Sequence, residues 1–292
     1  MHTQRRESEI THLVRRTVKQ HALILFFLLS YIISWLIWGL GRRLENDTVL
    51  IWLGSFGPAI SALVVTAVSE GQDGLSKLLS RLFIWRVGLQ WYLISLFLVP
   101  VVGLAIAIVY VLLNGLASEL PGPEYWRSTF WQQVLVWVAG TWLGVAIAPG
   151  EELGWRGYAL PRLQARYHPL AASILLGLLW GMWHFDGLIS DPATDFSLVE
   201  VLGFIAGTVS ASVIYTWLFN NTKGSVLIAS IFHAVYDVTV IWVAAIMPIP
   251  PSDMWIGLVG LAAIALAIIL LAGPGLSYPV LRRTEAETSQ GS

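Results

Sequence analysis

Eight apolar stretches of membrane-spanning length follow one another along this 292-residue chain. They fall at about 21–40, 49–69, 90–117, 130–149, 169–188, 197–219, 224–247 and 254–273. A run of about 20 apolar residues crosses a bilayer as a helix. No two-residue alternation competes, and a helix satisfies its own backbone in lipid. The pattern therefore predicts an all-α fold, a polytopic membrane helix bundle of about eight transmembrane helices. Residues 1–20 form a basic N-terminus, 21–273 a single transmembrane domain, and 274–292 a polar tail whose end, TEAETSQGS, is expected to be disordered. Between the second and third spans, GLSKLLSRLFIWR at 74–86 sets Leu75, Leu78, Leu79, Leu82 and Phe83 against Lys77 and Arg81. That amphipathic arrangement predicts a short interfacial helix.

Composition agrees with the pattern. Hydrophobic residues make up 56% and charged residues 12% of the chain, against about 25% charged in a soluble domain. Mean hydropathy is +0.70. A soluble fold and a disordered chain are both excluded. A net charge of −1 without a basic stripe argues against nucleic acid as a partner. The absence of cysteine rules out disulfides, thiolate metal sites and a cysteine nucleophile. Orientation follows from loop charge. With the N-terminus inside, the inner segments hold Arg5, Arg6, Arg15, Arg16, Lys19, Lys77, Arg81, Arg86, Arg156, Arg162, Arg166, Lys223, Arg282 and Arg283. Only Arg42, Arg43 and Arg127 of the 17 Lys and Arg then lie outside. Both termini are expected in the cytoplasm. The first span is read as a signal anchor, because it is too long for a cleaved signal and no A-x-A-like site ends it. Arg-rich, short loops point to a prokaryotic cell membrane. The 15 Trp are expected at span ends, as an interfacial belt.

Two further patterns sit inside the spans. Gly140 and Gly144, Gly177 and Gly181, and Gly203 and Gly207 are each four apart, a spacing that lets membrane helices approach closely. Ionisable residues within or beside the spans gather at three places, Glu151, Glu152 and Arg156; His184 and Asp186; His233 and Asp237, and the other five spans carry almost none. A central charge costs roughly 2.5–3.5 kcal/mol on insertion scales, so such groups face the bundle interior or a wet cavity. Pro149 is expected to interrupt a helix or open a new one, which sets the carboxylates near a helix N-terminus. Neighbouring helical residues point about 100° apart. Glu152 and Arg156, four apart, pair on one face and leave Glu151 for another role. The alternative is a solvated turn carrying a surface ion pair. His184 alone is more simply a satisfied core histidine, and Asp186 a loop residue. His233 and Asp237 share a face, where the carboxylate orients the imidazole or binds the same group.

Glu, His, His and Asp in lipid leave a narrow choice of chemistry. HExxH is absent, as are a phosphate-binding Gly loop and a nucleophilic serine motif beside a His. Water activated by glutamate remains, with histidines stabilising an oxyanion or holding a metal. Two His and one carboxylate also match a catalytic zinc set with one open position.

The three clusters resemble the CPBP family (CAAX proteases and bacteriocin-processing enzymes, also called Abi) of intramembrane proteases. Its signature is EExxxR, FxxxH and HxxxN or HxxxD, in that order on separate helices. Here stand Glu151-Glu152-Leu-Gly-Trp-Arg156, Trp180-Gly-Met-Trp-His184 and His233-Ala-Val-Tyr-Asp237. Gly157-Tyr158 and the run from Asn221 to Ser225 are also similar, and the likeness covers about 130–247. Trp180 replaces the usual Phe and reads as a packing aromatic.

The resemblance implies an endopeptidase of membrane-associated peptides or proteins, including prenylated C-terminal tails, with the bilayer as its other partner. By matching position, Glu151 and His184 would activate water, while His233 and Asp237 would stabilise the oxyanion. Asp237 does so only if protonated or through His233. Glu152, Arg156 and Trp180 would brace the site or meet substrate. If one divalent metal such as zinc is bound, Glu151, His184 and His233 are its implied ligands. Two rival readings are a non-catalytic binding or bacteriocin-immunity protein and a proton-coupled transporter.

The first set of span boundaries leaves the site residues at different depths. With the fourth span ending at 149, Glu151 lies at the cytoplasmic edge, whereas His233 lies about 13 Å and His184 about 22 Å inside. Groups that act together must meet. The fourth helix is therefore expected to run through Glu151 to about Leu163, with 130–136 interfacial.

Overall fold

The computed structural model describes residues 13–44, 47–186, 197–249 and 256–278. Arg5, Arg6, Arg282, Arg283 and residues 279–292 of the tail lie outside the described residues. Within them every regular element is helical. We label these α1 (Ala22–Arg43), α2 (Thr48–Gly54), α3 (Gly57–Ser80), α4 (Leu89–Leu113), α5 (Pro123–Gln164), α6 (Pro169–Trp183), α7 (Leu198–Asn221), α8 (Val226–Ile246) and α9 (Ile256–Ala272). Five of them, α1, α4, α5, α7 and α8, are long and apolar enough to cross a membrane. A sixth span arises if α2 and α3, bent by 41° at their junction, count as one. The remaining apolar helices, α6 and α9, have 15 and 17 residues. The chain is a multi-pass integral membrane protein. Its surface is correspondingly apolar: Leu28, Leu36, Phe97, Leu135, Leu270 and Leu271 are exposed, a patchwork far beyond what a soluble monomer shows.

Small residues carry the helix contacts, as their spacing predicts. A Cβ added to Gly177 meets the Val209 Cα on α7 at 2.6 Å. One on Gly144 meets the Ala234 Cβ on α8 at 2.7 Å, and Gly140 faces Val238 one turn on. Gly203 and Gly207 face Leu258 of α9. Lipid offers no hydrophobic force between helices, so close van der Waals packing at such sites drives association. Buried hydroxyls add to it. Ser34 donates to the Gly54 carbonyl at 2.7 Å, and Ser173 donates to Thr216 at 2.7 Å.

Two local expectations take a modified form. Most of residues 74–86 lies on a short helical segment of its own, beyond a break in α3. Gly71, at φ 70°, breaks α3, and the chain continues helically to Ser80, then through a 3₁₀ turn at Arg81–Phe83. Leu78 from this stretch is buried and packs near Gly157. Pro149 opens a new helical turn, Pro149–Glu152, after a one-residue turn at Ala148, without ending the span. Ala148 keeps helical dihedrals (φ −51°, ψ −29°), and α5 runs through it for 42 residues. The helix passes Glu151 to Gln164, as the depth argument requires, and begins at Pro123 rather than 130.

Beyond Glu152 the hydrogen-bond pattern loosens into a π segment, Leu153–Ala159. Such a segment shifts the face that later residues present and marks functional sites often. Gly154 is its tightest point. A Cβ there meets Pro58 at 2.5 Å, so α3 lies directly against the π turn.

Replacing Gly177 by Leu is expected to separate α6 from α7. A thermal melt in detergent should show a clear fall in Tm, whereas Leu at the open Gly122 should leave Tm within about 1 °C.

Candidate active site

The three ionisable clusters arrive on α5, the C-terminal end of α6, and α8. On α5, Glu152 and Arg156 form the expected pair, Oε1 to Nη1 at 2.9 Å, with both side chains fully buried. The solvated-turn alternative is thereby excluded. His233 donates from Nδ1 to the same Glu152 oxygen at 2.8 Å, across 81 positions of sequence. A carboxylate thus holds a guanidinium from its own helix and an imidazole from another. The Arg156 guanidinium lies between two rings, 3.9 Å from the Tyr215 centroid and 4.5 Å from that of Trp180. Cation–π attraction gains strength where water is excluded.

Glu151 points elsewhere, and it is not free. Its Oε2 accepts from the Trp180 indole at 2.9 Å and from the Trp155 indole at 3.4 Å. Among the described residues, Oε1 has no hydrogen-bond partner. The side chain is nearly buried, at 8% exposure for the residue. This places Glu151 about 20 Å of helix before Gln164, close to the roughly 22 Å between Pro169 and His184. The depth conflict between them disappears with the longer α5.

His184 follows α6 as its C-cap. Its Nδ1 lies 2.9 Å from the Trp180 carbonyl. A carbonyl only accepts, so Nδ1 carries the proton and Nε2 of the neutral ring keeps its lone pair. Trp180, Trp183 and Phe204 surround the ring. Asp237 departs from the interior placement expected of an ionisable residue in a span. Its side chain is 55% exposed, and its Oδ2 stands 3.4 Å from His233 Nε2. The two carboxylates therefore bracket the imidazole, one buried and close, the other loose and at the edge.

Asp186 is no plain loop residue. It takes a bidentate pair from Arg42, at 2.7 and 3.0 Å. Two further bonds reach the same region from α1: Trp35 to the Trp183 carbonyl at 2.8 Å, and Tyr31 to the Leu179 carbonyl at 2.6 Å. Helix α1 thus clamps the end of α6 that carries His184. Sequence reasoning also missed Tyr215 and Trp155. Trp155 sits four residues after Glu151, the spacing that should have suggested it. Tyr215 gave no comparable signal. Both are buried, as are Trp180 and Trp183, so the belt expectation fails for these tryptophans. Asn221–Ser225 serves the α7–α8 turn: Lys223 and Gly224 adopt φ 59° and 75°, and Ser225 caps α8.

Among the described residues, no three His, Asp or Glu side chains group so as to hold an ion. The Glu152 oxygen nearest His233 is shared with the Arg156 cation. In this arrangement Glu151, His184 and His233 do not fit a zinc ion.

A family model described as Type II CAAX prenyl endopeptidase Rce1-like matches residues 130–239, the stretch bearing all three motifs. A protein of Methanococcus maripaludis named CAAX prenyl protease 2 is 29% identical over 223 residues, covering 72% of this chain and 80% of that protein. Fold and comparisons together define an intramembrane endopeptidase. Both comparisons support the resemblance of this chain to the CPBP family of intramembrane proteases.

Removing one partner of a buried ion pair costs about 3–5 kcal/mol, because a charge is left uncompensated. Arg156→Met should therefore lower the melting temperature markedly. Arg127→Met, which breaks the exposed Arg127–Glu124 pair, should change it little, since exposed pairs contribute about 0–1 kcal/mol.

Proposed function

We propose that this protein hydrolyses peptide bonds near the C-terminus of membrane-tethered, prenylated substrates, through a water activated by glutamate. The observation that carries the reading is the meeting of carboxylates and histidines from α5, α6 and α8 inside an apolar bundle, with Glu152 and His233 at 2.8 Å. Lipid makes such a cluster expensive, and its partners are drawn from the very motifs that define the family. The relative's name supplies the substrate class, a CAAX prenyl protein.

Glu151 is the general base in this reading. Its Oε2 is anchored by two indoles, and Oε1 takes a proton from water as the oxygen attacks the scissile carbonyl carbon. The lone pair on His184 Nε2 accepts the second water hydrogen and orients the nucleophile. His233, doubly protonated between the carboxylates of Glu152 and Asp237, donates from Nε2 to the oxyanion. Its Nδ1 is committed to Glu152, which holds the ring, and its 3.4 Å contact with Asp237 is weak enough to yield to substrate. Asp237 acts through His233, because an ionised carboxylate repels an oxyanion. Collapse of the tetrahedral intermediate breaks the C–N bond. The proton on Glu151 then passes to the leaving amine. No step passes through a metal.

The test is cleavage of a quenched fluorescent peptide by purified protein in lipid nanodiscs. Prenylated and unmodified peptides are compared, each with and without EDTA. Removing a general base costs about 10²–10⁴-fold, and Glu151→Ala and His184→Ala should lose at least 100-fold. EDTA should change nothing, and the prenylated peptide should be cleaved faster. Glu151→Ala cleaving at the wild-type rate would overturn the assignment. Loss of cleavage in EDTA would overturn the metal-free route, and equal rates on both peptides would overturn the prenyl preference.

A further inference from the structure

The geometry assigns Trp180 as a positioning residue for the general base, acting through its indole N–H rather than through the bulk of its ring. This rests on the reading of Glu151 given above. The family pattern places Phe at this position, and Phe has no donor. In this chain the indole of Trp180 donates to Glu151 Oε2 at 2.9 Å. The other donor, Trp155, stands at 3.4 Å, beyond the usual 2.7–3.2 Å range for an N–H···O bond. Without Trp180, the Glu151 carboxylate would keep only that long contact.

A charge-assisted bond to one carboxylate oxygen has a directional consequence. It occupies Oε2 and sets the torsion of the group, so the oxygen without a protein partner is presented in one place. Preorganisation of this kind matters because misplacement of a reacting group by about 1 Å can cost 10²-fold. The indole itself is held from several sides. Its ring face meets Arg156, with the guanidinium carbon 4.5 Å from the centroid. Its edge contacts reach His184, Tyr215 and His233, with centroids 5.6, 5.8 and 6.1 Å away. Its backbone carbonyl sets the His184 tautomer. One residue thus links both histidines, the buried ion pair and the base. The carbonyl and part of the ring packing would survive replacement by Phe; the bond to Glu151 would not.

Trp180→Phe separates these contributions. With the prenylated peptide, kcat should fall about 10- to 100-fold while KM stays within about twofold, and the protein should stay folded with a modest fall in Tm from the lost ring volume. A wild-type kcat in Trp180→Phe would overturn the assignment and leave Trp180 as packing. A second readout is independent of turnover. In protein labelled with ¹⁵N-tryptophan, the indole resonance missing from Trp180→Phe identifies Trp180. That resonance should shift upfield in Glu151→Ala and stay in place in Glu200→Ala, where the lost carboxylate belongs to the exposed α7 cap. A resonance unmoved in Glu151→Ala would also overturn the proposal. If the wild-type protein cleaves no peptide, the reading under Proposed function falls, and the indole resonance still decides whether the bond exists.

Discussion

One buried oxygen organises this molecule. Glu152 Oε1 accepts from Arg156 on its own helix and from His233 on α8. In water these bonds would trade against hydration and contribute little. In an apolar bundle each member left alone would carry the cost of an unpaired buried charge. The three side chains therefore stay together, and the helices that bear them are obliged to cross at this point. Close packing makes the crossing possible. Gly144 sits two turns before Glu152 and lets α8 approach through Ala234, one residue beyond His233.

Around this oxygen the site divides its labour by burial. Glu152 and Arg156 are wholly enclosed and have the character of a strut. Glu151, one residue earlier and turned about 100° away, keeps one oxygen without a protein partner. Asp237, on the outward side of His233, is the most exposed of the group. Polarity thus grades from a dry interior to an accessible rim over a few ångströms. That gradient suits a hydrolase in lipid, which must admit water at the scissile bond without wetting the groups that brace it.

Much of this was legible in the residues. Apolar run lengths marked the helices, because lipid imposes a length on any segment that crosses it. The spacing of Glu152 and Arg156 announced their pair, and the glycine pairs announced the contact faces. The conflict in depth among Glu151, His184 and His233 was enough to extend α5 past Pro149. What escaped was of two kinds. The π segment is a backbone choice that no side-chain spacing encodes, since it arises where α5 meets α3 at Gly154. The other kind is pairing between distant residues. Arg42 with Asp186 and Tyr215 with Arg156 depend on which helices are neighbours, and hydropathy is silent about neighbours. Trp180 was read by ring size alone, whereas its N–H is what the site engages.

The clamp of α1 on the end of α6 bears on how the protein is made. Tyr31, Trp35 and Arg42 are synthesised early, yet each bonds a partner almost 150 positions later. His233 comes later still. A nascent chain holding α1 to α5 in the membrane has its glutamates in place but lacks both histidines, the indole of Trp180 and the ring of Tyr215. The constellation closes only when α8 has entered the bilayer. Assembly order therefore acts as a natural safeguard, keeping a protease that lives among membrane proteins inert until its own biogenesis is nearly complete.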